Sequence, residues 1–469
     1  MAAGRISENL KLVLSYKSAV IGIAIIAGLV VLSVYTMVTI PYDEAVRLWR
    51  AGELHWVETP RFAYPTWYSW IVQKRLPETI VVDTAKPGPG SIKVVVPAGE
   101  QLRVYKAELS FRFDYDDFPS EINVFYRVRY AVSPPQVTMS WVKPDGTQIE
   151  LKKFAVASNG SYYLMTDPRI TAEAVSRLQA KTGQRPGYEL TAPIVLFGVE
   201  DASMLSQETL QVMRGTYRLM IEGLFFDPQS DFDARLVVYG KVYGWAGTDH
   251  LRRDIGIALL WGTPVALAFG VVAAVSIALT QITIGALSAW YSRVFDNVVQ
   301  RVNEIVIVLP LLPVLIMIQT LYKLSIWSIL LVVIAFSSLG AGVKFYRAQF
   351  LQLRELAYVE AAKAYGVSSP RIVFVHLIPR VLPTAIPPIV LAVPDFVFLE
   401  AALAILGLGD PLTPTWGKVI QDAFYGGSLF KGYYYWILEP SFLVVLTAIG
   451  FVSLGLALDK IFNPRLREV

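Results

Sequence analysis

Long uncharged apolar runs on either side of a charged middle section constrain this chain more than any other feature. Residues 18–40 contain no charged side chain, and the run exceeds the ~20 residues that an α-helix needs to cross a lipid bilayer. Residues 43–251 have the charge-rich composition of a water-soluble protein, and apolar runs return from residue 259 to the end. The sequence therefore predicts a membrane protein with a large water-soluble insertion.

Six transmembrane helices are predicted from these runs. They cover residues 18–40, 263–288, 304–322, 326–342, 381–408 and 436–458. The first run is longer than the apolar core of a signal peptide, and no small-residue cleavage site follows it, so we expect a retained anchor. The predicted parts are residues 1–40 with the first transmembrane helix, the insertion 41–246, and a core 247–469 with the remaining helices and a cytoplasmic loop 343–380.

Basic residues near the ends of the predicted helices indicate the orientation. With the N-terminus in the cytoplasm, the short outer loops between the later helices contain only Lys323, Lys418 and Lys431, and the inner side holds many more basic residues. This asymmetry follows the positive-inside rule. We therefore expect a multi-pass plasma-membrane protein with both termini in the cytoplasm and residues 41–246 outside the cell.

The overall composition excludes several classes of function. With 54% hydrophobic residues, 17% charged residues and a mean hydropathy of +0.47, the chain is too apolar for an ordinary soluble enzyme. A net charge of +4 gives no reason to expect nucleic-acid binding. The chain has no cysteine, which excludes disulfides and thiolate metal sites, and its three histidines are too scattered for a histidine-rich metal site.

The insertion shows the alternation of apolar and polar side chains that is typical of antiparallel β-strands. Leu109, Phe111 and Phe113 lie on one face of such a run, and strand-like runs on both sides of residues 143–146 predict a hairpin. Two short helices are expected at residues 171–181 and 201–213. We therefore predict an extracellular β-sandwich-like domain.

Two acidic groups and a glycosylation sequon in this domain have more than one interpretation. The acidic groups are Asp114, Asp116 and Asp117, and separately Asp227, Asp231 and Asp233. Carboxylates are calcium ligands, but neither group has EF-hand spacing, and solvated turn carboxylates are the preferred interpretation. Asn159-Gly160-Ser161 is a sequon that matters only if the organism glycosylates its outer proteins.

Residues 355–380 are the most informative stretch of the chain. Apolar residues recur at helical spacing among charged ones, which predicts a short helix. Gly366 ends this helix in the left-handed conformation, and Ser369 and Pro370 begin the next one. A helix, turn and helix in a short loop between transmembrane helices are typical of a docking surface for another protein, and an ordinary loop helix is the alternative.

This stretch resembles the Glu-Ala-Ala coupling loop of ABC importer permeases. The residues assigned to the loop are Tyr358, Glu360, Ala361, Ala362, Gly366 and Pro379. Other matches in the same order are Asp296, Arg301, Pro310, residues 400–409, residues 414–417 and residues 463–465. The resemblance covers residues 247–469 well and residues 1–40 weakly.

Residues 247–254 resemble the Gly-Thr-Asp-x-x-Gly-Arg-Asp signature of dipeptide and oligopeptide importer permeases. The signature residues assigned here are Thr248, Asp249, Arg253 and Asp254. Arg252 departs from the pattern because the family has glycine at that place. We expect Thr248 or Asp249 to cap an amphipathic helix at the outer membrane face.

The resemblance implies the type I ABC importer permease fold and a role as the permease subunit of an ATP-driven importer. The implied partners are a homologous second permease, two ATP-binding cassette ATPase subunits, an extracellular solute-binding protein and the lipid bilayer. The sequence has no GxxxxGK[ST] phosphate loop, so ATP is expected on the partner subunits, with no cofactor, metal or catalytic residue in this chain. Dipeptides and oligopeptides are the expected cargo, and oligosaccharides are the alternative.

Asp395 and Glu400 are ionisable residues within the predicted fifth transmembrane helix. Such groups are costly in lipid and usually face a cavity or a partner. They are about 140° apart on an α-helix, so at most one of them faces the pathway squarely. We expect them to line the translocation pathway or its gate, and a structural pair with another helix is the alternative.

Other classes of function fit the sequence less well. A membrane-anchored receptor or sensor would use the β domain to bind a ligand, but it needs only one anchor. An ion-coupled secondary transporter would show internal repeats and several intramembrane charges. A membrane enzyme would show a paired acid and base, or a metal site, within the transmembrane helices.

Overall fold

The structure is a computed structural model that describes residues 14–52, 55–86, 88, 90–97, 102–227, 229–291 and 293–462. The chain forms two compact units. One unit is Ala51–Asp254, and the other combines the residues up to Arg50 with those from Ile255 onward. The predicted family match at residues 463–465 lies outside the described residues, as do both termini.

The second of these units, the helical unit, is built from α-helices. Its long helices are Lys17–Thr39, Ile255–Trp290, Ser369–Ile405 and Tyr435–Phe462. Its shorter helices are Tyr42–Arg50, Arg293–Val308, Leu311–Tyr322, Ile326–Ser337, Ala341–Arg354, Ala357–Ala364, Trp416–Tyr425 and Ser428–Lys431. Each of the four long helices has the length and apolar composition needed to cross a membrane.

Two bent helix pairs reach that length and composition only when their members are combined. Arg293–Val308 and Leu311–Tyr322 meet at 80°, and Ile326–Ser337 and Ala341–Arg354 meet at 46°. The predicted number of six spans is therefore reached only if each bent pair counts as one span.

Buried polar side chains satisfy the backbone where the second pair bends. Asn303 is fully buried; its Nδ2 donates to the carbonyl of Gly340 at 3.0 Å, and its Oδ1 accepts from the N–H of Gly340 at 2.6 Å. Gln281 Nε2 donates to the carbonyl of Ser337 at 2.8 Å. Because an unpaired backbone group is costly in lipid, these contacts make an interrupted helix compatible with a membrane.

The Ala51–Asp254 unit is a two-sheet β-sandwich, which confirms the predicted β fold of the insertion. Its strands are β1 Ile80–Asp83, β2 Ser91–Pro97, β3 Arg103–Phe113, β4 Glu121–Arg129, β5 Gln136–Val142, β6 Gln148–Ala155, β7 Gly160–Tyr163, β8 Gly215–Phe225 and β9 Asp231–Tyr239. The strand orders are β1-β9-β4-β7 and β2-β3-β8-β5-β6, with antiparallel pairing throughout. In this unit, as far as it is described, β8 and β9 are interior strands of the two sheets.

The apolar residues of the alternating runs that predicted the strands are buried, and the polar residues between them are more exposed. Leu109, Phe111 and Phe113 point into an aromatic core that also contains Trp141 and Tyr217. Rings in this core meet at stacked, tilted and edge angles; Phe111 and Tyr217 stack at 5.8 Å and 17°, whereas Phe113 and Tyr217 meet at 6.2 Å and 85°. The hydrophobic area buried between the two sheets therefore stabilises the domain, which has no disulfide.

One of the two helices expected in this domain is confirmed and the other is wrong. Pro168–Thr182 is a helix that ends at Gly183, which has φ +73°. Residues 201–213 contain only two 3₁₀ turns, Ala202–Leu205 and Gln207–Thr209. The N–H of Met213 donates to the carbonyl of Phe197 at 2.8 Å, so the chain folds back on itself there and a continuous helix does not form.

Candidate functional site

The short helix Ala357–Ala364 is held on the helical unit by one face. Val359 is fully buried, and Ala362 is half-buried on the same side. Val359 belongs to a core cluster with residues of three neighbouring helices, including Ala286, Phe350 and Ile372. The short helix is therefore fixed against the long helix Ile255–Trp290 and is not a freely moving loop.

Gly366 makes the turn that follows this helix. Its φ of +75° lies in the left-handed region, and the space around its Cα is open, so the backbone conformation is what requires glycine. Its N–H donates to the carbonyl of Lys363 at 2.9 Å, and the N–H of Val367 donates to that of Ala362 at 3.0 Å. These bonds close the helix end in the way expected for a C-terminal glycine.

The next helix begins one residue earlier than predicted. Ser368 is its N-cap, Ser369 is its first residue and Pro370 lies in its first turn. The helix continues to Ile405 through a π-helical turn at Ile372–Leu377, immediately before the exposed Pro379. Because a π turn and a proline both interrupt the regular hydrogen bonding of a helix, this part of Ser369–Ile405 can change its bend most easily.

The outward face of the short helix and its turn is exposed and chemically mixed. Tyr358, Glu360 and Ala361 are exposed there. Tyr365, which sequence reasoning missed, is 88% exposed at the turn. An aromatic residue next to a turn glycine in an otherwise polar loop was the available signal. We call Tyr358, Glu360, Ala361 and Tyr365 the docking face.

Two cation–π contacts stabilise the short helix that carries the docking face. The Lys363 ammonium lies 4.8 Å from the centre of the Trp290 ring, and the Arg380 guanidinium lies 5.2 Å from that of Tyr358. Each is within the range of a cation–π contact. Arg380 stands on the long helix Ser369–Ile405, so it links that helix directly to the docking face.

A half-buried ion pair joins the helices that precede this segment. Arg347 Nε donates to Asp296 Oδ1 at 2.6 Å, and a second guanidinium nitrogen contacts the other carboxylate oxygen. Ser288 Oγ also donates to Asp296. The Asp296 carboxylate thus joins three helices, Ile255–Trp290, Arg293–Val308 and Ala341–Arg354, in the bidentate geometry that makes arginine pairs rigid.

A groove of about 690 Å³ lies beside the same segment. Its polar lining residues are Gln349, Gln352, Arg380, Thr384 and Asp459. The groove is wide enough for a small solute or several waters. Arg380 therefore belongs both to the wall of this groove and to the support of the docking face.

The structure separates the two candidate pathway residues. Asp395 is on an exposed side of the helix Ser369–Ile405, whereas Glu400 is buried. Glu400 Oε1 accepts a hydrogen bond of 2.8 Å from Thr415 Oγ1. Glu400 thus contacts the residue that caps the helix Trp416–Tyr425, an arrangement close to the alternative interpretation of a structural pair with another helix. Asp395 does not take part in this contact.

The residues around Thr415 lock the loop after the helix Ser369–Ile405 into place. Thr415 Oγ1 accepts from the N–H of Lys418 at 3.1 Å and caps the helix Trp416–Tyr425. Trp416 Nε1 donates to the carbonyl of Leu259 at 2.9 Å. A Cβ on Gly262 would lie 2.1 Å from the Trp416 ring, so the indole packs directly on backbone. The match at residues 414–417 is thus a packing motif.

The signature residues 248–254 form a compact turn in the Ala51–Asp254 unit. Thr248 Oγ1 donates to the carbonyl of Pro60 at 2.7 Å and accepts from the N–H of Ala63 at 2.9 Å. The buried Asp249 and Arg253 form an ion pair at 2.6 Å. Thr248 and Asp254 pair as an isolated β-bridge.

The expectation of a capped amphipathic helix at this place is wrong. Asp249 Oδ1 accepts from the N–H groups of Leu251 and Arg253 at 2.8 and 2.9 Å, and these close a turn. The long helix begins only at Ile255 and continues to Trp290. The Asp249 carboxylate is used by the turn and by Arg253, so it caps no separate helix.

Arg252, where the peptide-importer signature has glycine, adopts a left-handed backbone conformation. Its φ is +66°, which an L-residue adopts at a cost of roughly 1–2 kcal/mol. Its guanidinium donates to Glu121 at 2.6 Å and to the carbonyl of Thr59 at 2.8 Å, and it lies 4.4 Å from the centre of the Tyr239 ring. The buried side chain thus offsets the strain by tying the turn to strands β4 and β9.

The acidic groups considered as calcium ligands are paired with other groups. Asp231 and Asp233 contact Lys93 at 2.6 and 2.8 Å, and Asp117 contacts Lys241 at 2.7 Å. Asp116 pairs with Arg214, and Asp114 with Arg112; Asp227 accepts from the backbone of Ala131 and Gln229. Within the described ranges no three His, Asp or Glu side chains are grouped for a metal.

Comparison with known proteins points to one family. Residues 281–468 match the family described as "Binding-protein-dependent transport system inner membrane component". The chain is 29% identical over 225 residues to the dipeptide transport system permease protein of Bacillus subtilis, covering 48% of this chain and 69% of that protein. It is 31% identical over 222 residues to the "Probable peptide ABC transporter permease protein" of Sinorhizobium fredii, covering 47% and 75%. A glutathione transport system permease protein of Pectobacterium atrosepticum is 26% identical over 225 residues, covering 48% and 73%.

Proposed function

The chain belongs to the binding-protein-dependent transport system inner membrane components and is a peptide-type ABC transporter permease, and from this premise we propose how it works. It forms half of a translocation pathway for dipeptides and oligopeptides in an ATP-driven importer. Its partners are a second, homologous permease, two cytoplasmic ATPase subunits and an extracellular solute-binding protein. The domain formed by residues 51–254 lies outside the cell.

The docking face is the observation that supports this proposal most strongly. Val359 fixes the short helix on the helical unit, while Glu360 and Tyr365 on its other side are exposed. A short helix that is rigidly held and leaves a mixed polar and aromatic face exposed suits contact with a partner protein. Glu360 supplies the polar contact, Ala361 permits close approach, and Gly366 fixes the turn.

Movement of the ATPase subunits is transmitted through the Ser369–Ile405 helix. This helix starts directly after the Gly366 turn, and Arg380 on it contacts the Tyr358 ring. A push on the docking face therefore reaches the π turn and the groove at Gln349, Arg380 and Asp459. The helices rock between two packings, and the ATPases drive the change because they contact the docking face differently in each.

The exposed Asp395 lines the pathway, and Glu400 keeps the outer loop in place. Of the two carboxylates in this helix, Asp395 is the one that does not take part in the Thr415 contact. An exposed carboxylate on a membrane-spanning helix is costly in lipid and therefore faces a cavity or a partner. In the assembled importer that position faces the second permease across the pathway.

Peptides are the proposed cargo because the similar proteins are named for them. Their names specify dipeptides, peptides and glutathione, which is itself a small peptide. Uptake of labelled dipeptides and oligosaccharides by the same reconstituted importer distinguishes the two cargo classes. A receptor with a single anchor does not use the docking face or the paired long helices.

The decisive experiment is a charge reversal on the docking face. We expect Glu360→Lys to reduce ATP-dependent peptide uptake at least tenfold in vesicles that contain the permeases, the ATPases and the binding protein. The matched control is Glu173→Lys, which reverses an exposed charge on the Pro168–Thr182 helix of the other unit. The second permease should co-purify with both variants, which shows that they fold.

Two results would contradict the proposed role. Normal uptake by Glu360→Lys would show that the docking face does not couple to the ATPases. Isolation of the wild-type chain from native membranes without any ATPase subunit would contradict the proposal that it is part of an ATP-driven importer.

A further inference from the structure

An exposed tryptophan patch lies on the Ala51–Asp254 unit and has no role in the turn at residues 248–254 or in the core of the sandwich. Trp70 is 83% exposed and Ile71 is 65% exposed, both on the short helix Tyr68–Val72. Trp67 and Trp245 are also exposed. We call these four residues the tryptophan patch. A group of exposed large apolar side chains, in place of a single one, marks a contact surface.

The patch is fixed to the part of the domain from which the chain leads to the long helix. Trp67 Nε1 donates to the carbonyl of Trp245 at 2.9 Å, and the N–H of Thr66 donates to that of Gly244 at 2.9 Å. Trp245 precedes Ile255, the first residue of the membrane-spanning helix Ile255–Trp290, by ten residues. Fully extended, those ten residues span at most ~35 Å, and the bridge between Thr248 and Asp254 shortens the path.

The composition of this region suits the boundary between lipid and water. Tryptophan is enriched there because its ring is largely apolar while its N–H needs a polar partner. Lys74 and Arg75 directly follow the short helix and are exposed. Their positive charges match lipid phosphate groups, whereas the tryptophan and isoleucine side chains match the acyl-chain boundary.

We propose that the tryptophan patch rests in the outer interfacial layer of the bilayer, with Trp70 and Ile71 among the lipid headgroups and the first acyl carbons. The occupant of this surface is therefore lipid, and Lys74 and Arg75 contact its phosphate groups. This role goes beyond coupling and transport, and it does not depend on the cargo or on the ATPase contact.

The absence of cysteine from the chain allows a direct test. Trp70→Cys and Ile71→Cys are each labelled with a nitroxide in nanodiscs made of equal parts of phosphatidylcholine and phosphatidylglycerol. Electron paramagnetic resonance then compares collisions of the label with oxygen, which enters lipid, and with a water-soluble nickel chelate. We expect both labels to be reached by oxygen and shielded from the chelate.

Val132→Cys is the matched control because Val132 is an equally exposed apolar side chain at the opposite end of the sheet. Val132 is 78% exposed and follows Arg129, which pairs with Asp231 at the start of β9. Tyr239, at the other end of β9, pairs with Glu121, and Glu121 contacts Arg252 of the turn at residues 248–254. Residue 132 therefore follows the end of β4 that is far from this turn. The label at residue 132 should be open to the nickel chelate.

Two outcomes would overturn the proposal. Labels at residues 70 and 71 that are as open to the chelate in nanodiscs as the label at residue 132 would show that the patch is in water. Labels that become shielded only after a solute-binding protein is added would show that the patch binds protein. Because all three variants change exposed side chains, a thermal unfolding midpoint equal to that of the wild-type chain verifies that each one is folded.

Discussion

At the residue scale, two positions with positive φ show that backbone conformation and side-chain contacts together determine which residue is present. At Gly366 the backbone needs φ +75°, and no neighbouring atom limits the size of the residue. At Arg252 the φ is also positive, yet a large side chain is kept because it makes an ion pair with Glu121 and a bond to Thr59. A positive φ therefore specifies glycine only where no side-chain contact offsets the strain.

We expect Gly366→Ala to loosen the short helix Ala357–Ala364. Placing a Cβ at φ +75° costs about 1 kcal/mol, and this should raise hydrogen–deuterium exchange of the amides of this helix about fivefold. Gly28→Ala is the matched control because Gly28 also has open space around it but has no left-handed backbone. Equal exchange in the two variants would mean that the turn tolerates alanine.

Lys143 is a second residue whose environment has a measurable consequence. It is almost fully buried in the sandwich, and its Nζ donates to the carbonyl of Gly198 at 3.0 Å. Burial lowers the pKa of its ammonium from 10.5 to about 8. Between those two pH values the unfolded chain binds more protons than the folded chain, so the free energy of unfolding increases with pH.

From this shift we expect the sandwich to gain about 1 kcal/mol of unfolding free energy between pH 7 and pH 9. Thermal unfolding of the full chain, followed by the β-sheet signal in circular dichroism, measures the gain. Lys143→Met removes the titrating group and keeps the apolar stem, so its stability should change less over the same range. A wild-type profile that is flat or falls with pH would contradict the assignment.

At the element scale, the bent helix pairs depend on polar side chains that take the place of missing helical hydrogen bonds. Asn303 pairs with both backbone groups of Gly340, and Gln281 covers the carbonyl of Ser337. A Cβ on Gly342 would lie 1.8 Å from Gln281 Oε1, so the glycine makes room for this side chain. Asn303, Gln281 and Gly342 thus support the bend together, two by hydrogen bonds and one by leaving space.

We expect Asn303→Ala to destabilise the helical unit by about 2 kcal/mol. The substitution removes two hydrogen bonds and leaves the N–H of Gly340 without its Asn303 partner, while the carbonyl of Gly340 keeps the bond from the N–H of Val343 at 3.2 Å. Thermal unfolding in nanodiscs should show a lower midpoint for this variant than for Val302→Ala, which shortens an exposed neighbour on the same helix. An unchanged midpoint would show that water or lipid replaces the lost bonds.

Local patterns predicted the elements that depend on local residues, and failed where distant contacts decide. The long helices and strands β3, β4, β5, β6, β8 and β9 followed from periodicity. Strands β1, β2 and β7 were missed: β1 and β7 have four residues each, and β2 shows no regular alternation, so only their pairing with β9, β4 and β3 defines them. Residues 201–213 look helical, but backbone bonds such as Met213 to Phe197 hold them in another form.

In the candidate site, too, local features were predictable from the sequence and long-range contacts were not. The motif located the short helix, Glu360 and the Gly366 turn, because helix ends and turns have strong local signals. It did not show that Val359 alone is fully buried in that helix, or that Glu400 contacts Thr415, because these contacts need the folded neighbours.

At the scale of the whole molecule, a water-soluble β unit is inserted between the first long helix and the others. The chain enters this unit after Arg50 and leaves it before Ile255. Within the unit, the entering and leaving segments are joined, since Tyr64 bridges Val242 and the N–H of Thr248 donates to the carbonyl of Ala63 at 2.9 Å. The insertion thus has its own hydrophobic core, and the segments by which the chain enters and leaves it are hydrogen-bonded to each other.

We expect the docking face and the inserted domain to lie on opposite sides of the membrane. In oriented membranes, an impermeant maleimide should label Tyr365→Cys from the cytoplasmic side and Val132→Cys from the outer side, because both positions are highly exposed. The wild-type chain is the control, as it has no cysteine to label. Labelling of both variants from one side would contradict the predicted topology.

The interior positions of β8 and β9 set the order in which this protein can be made. Both sheets need these strands, because β9 joins β1 to β4 and β8 joins β3 to β5, yet they are the last strands of the domain to be synthesised. Neither sheet can therefore be completed until residue 239 has been synthesised, although β2 can pair with β3 and β5 with β6 earlier. During that interval the apolar side chains of the earlier strands stay exposed to water, and such surfaces favour misassociation.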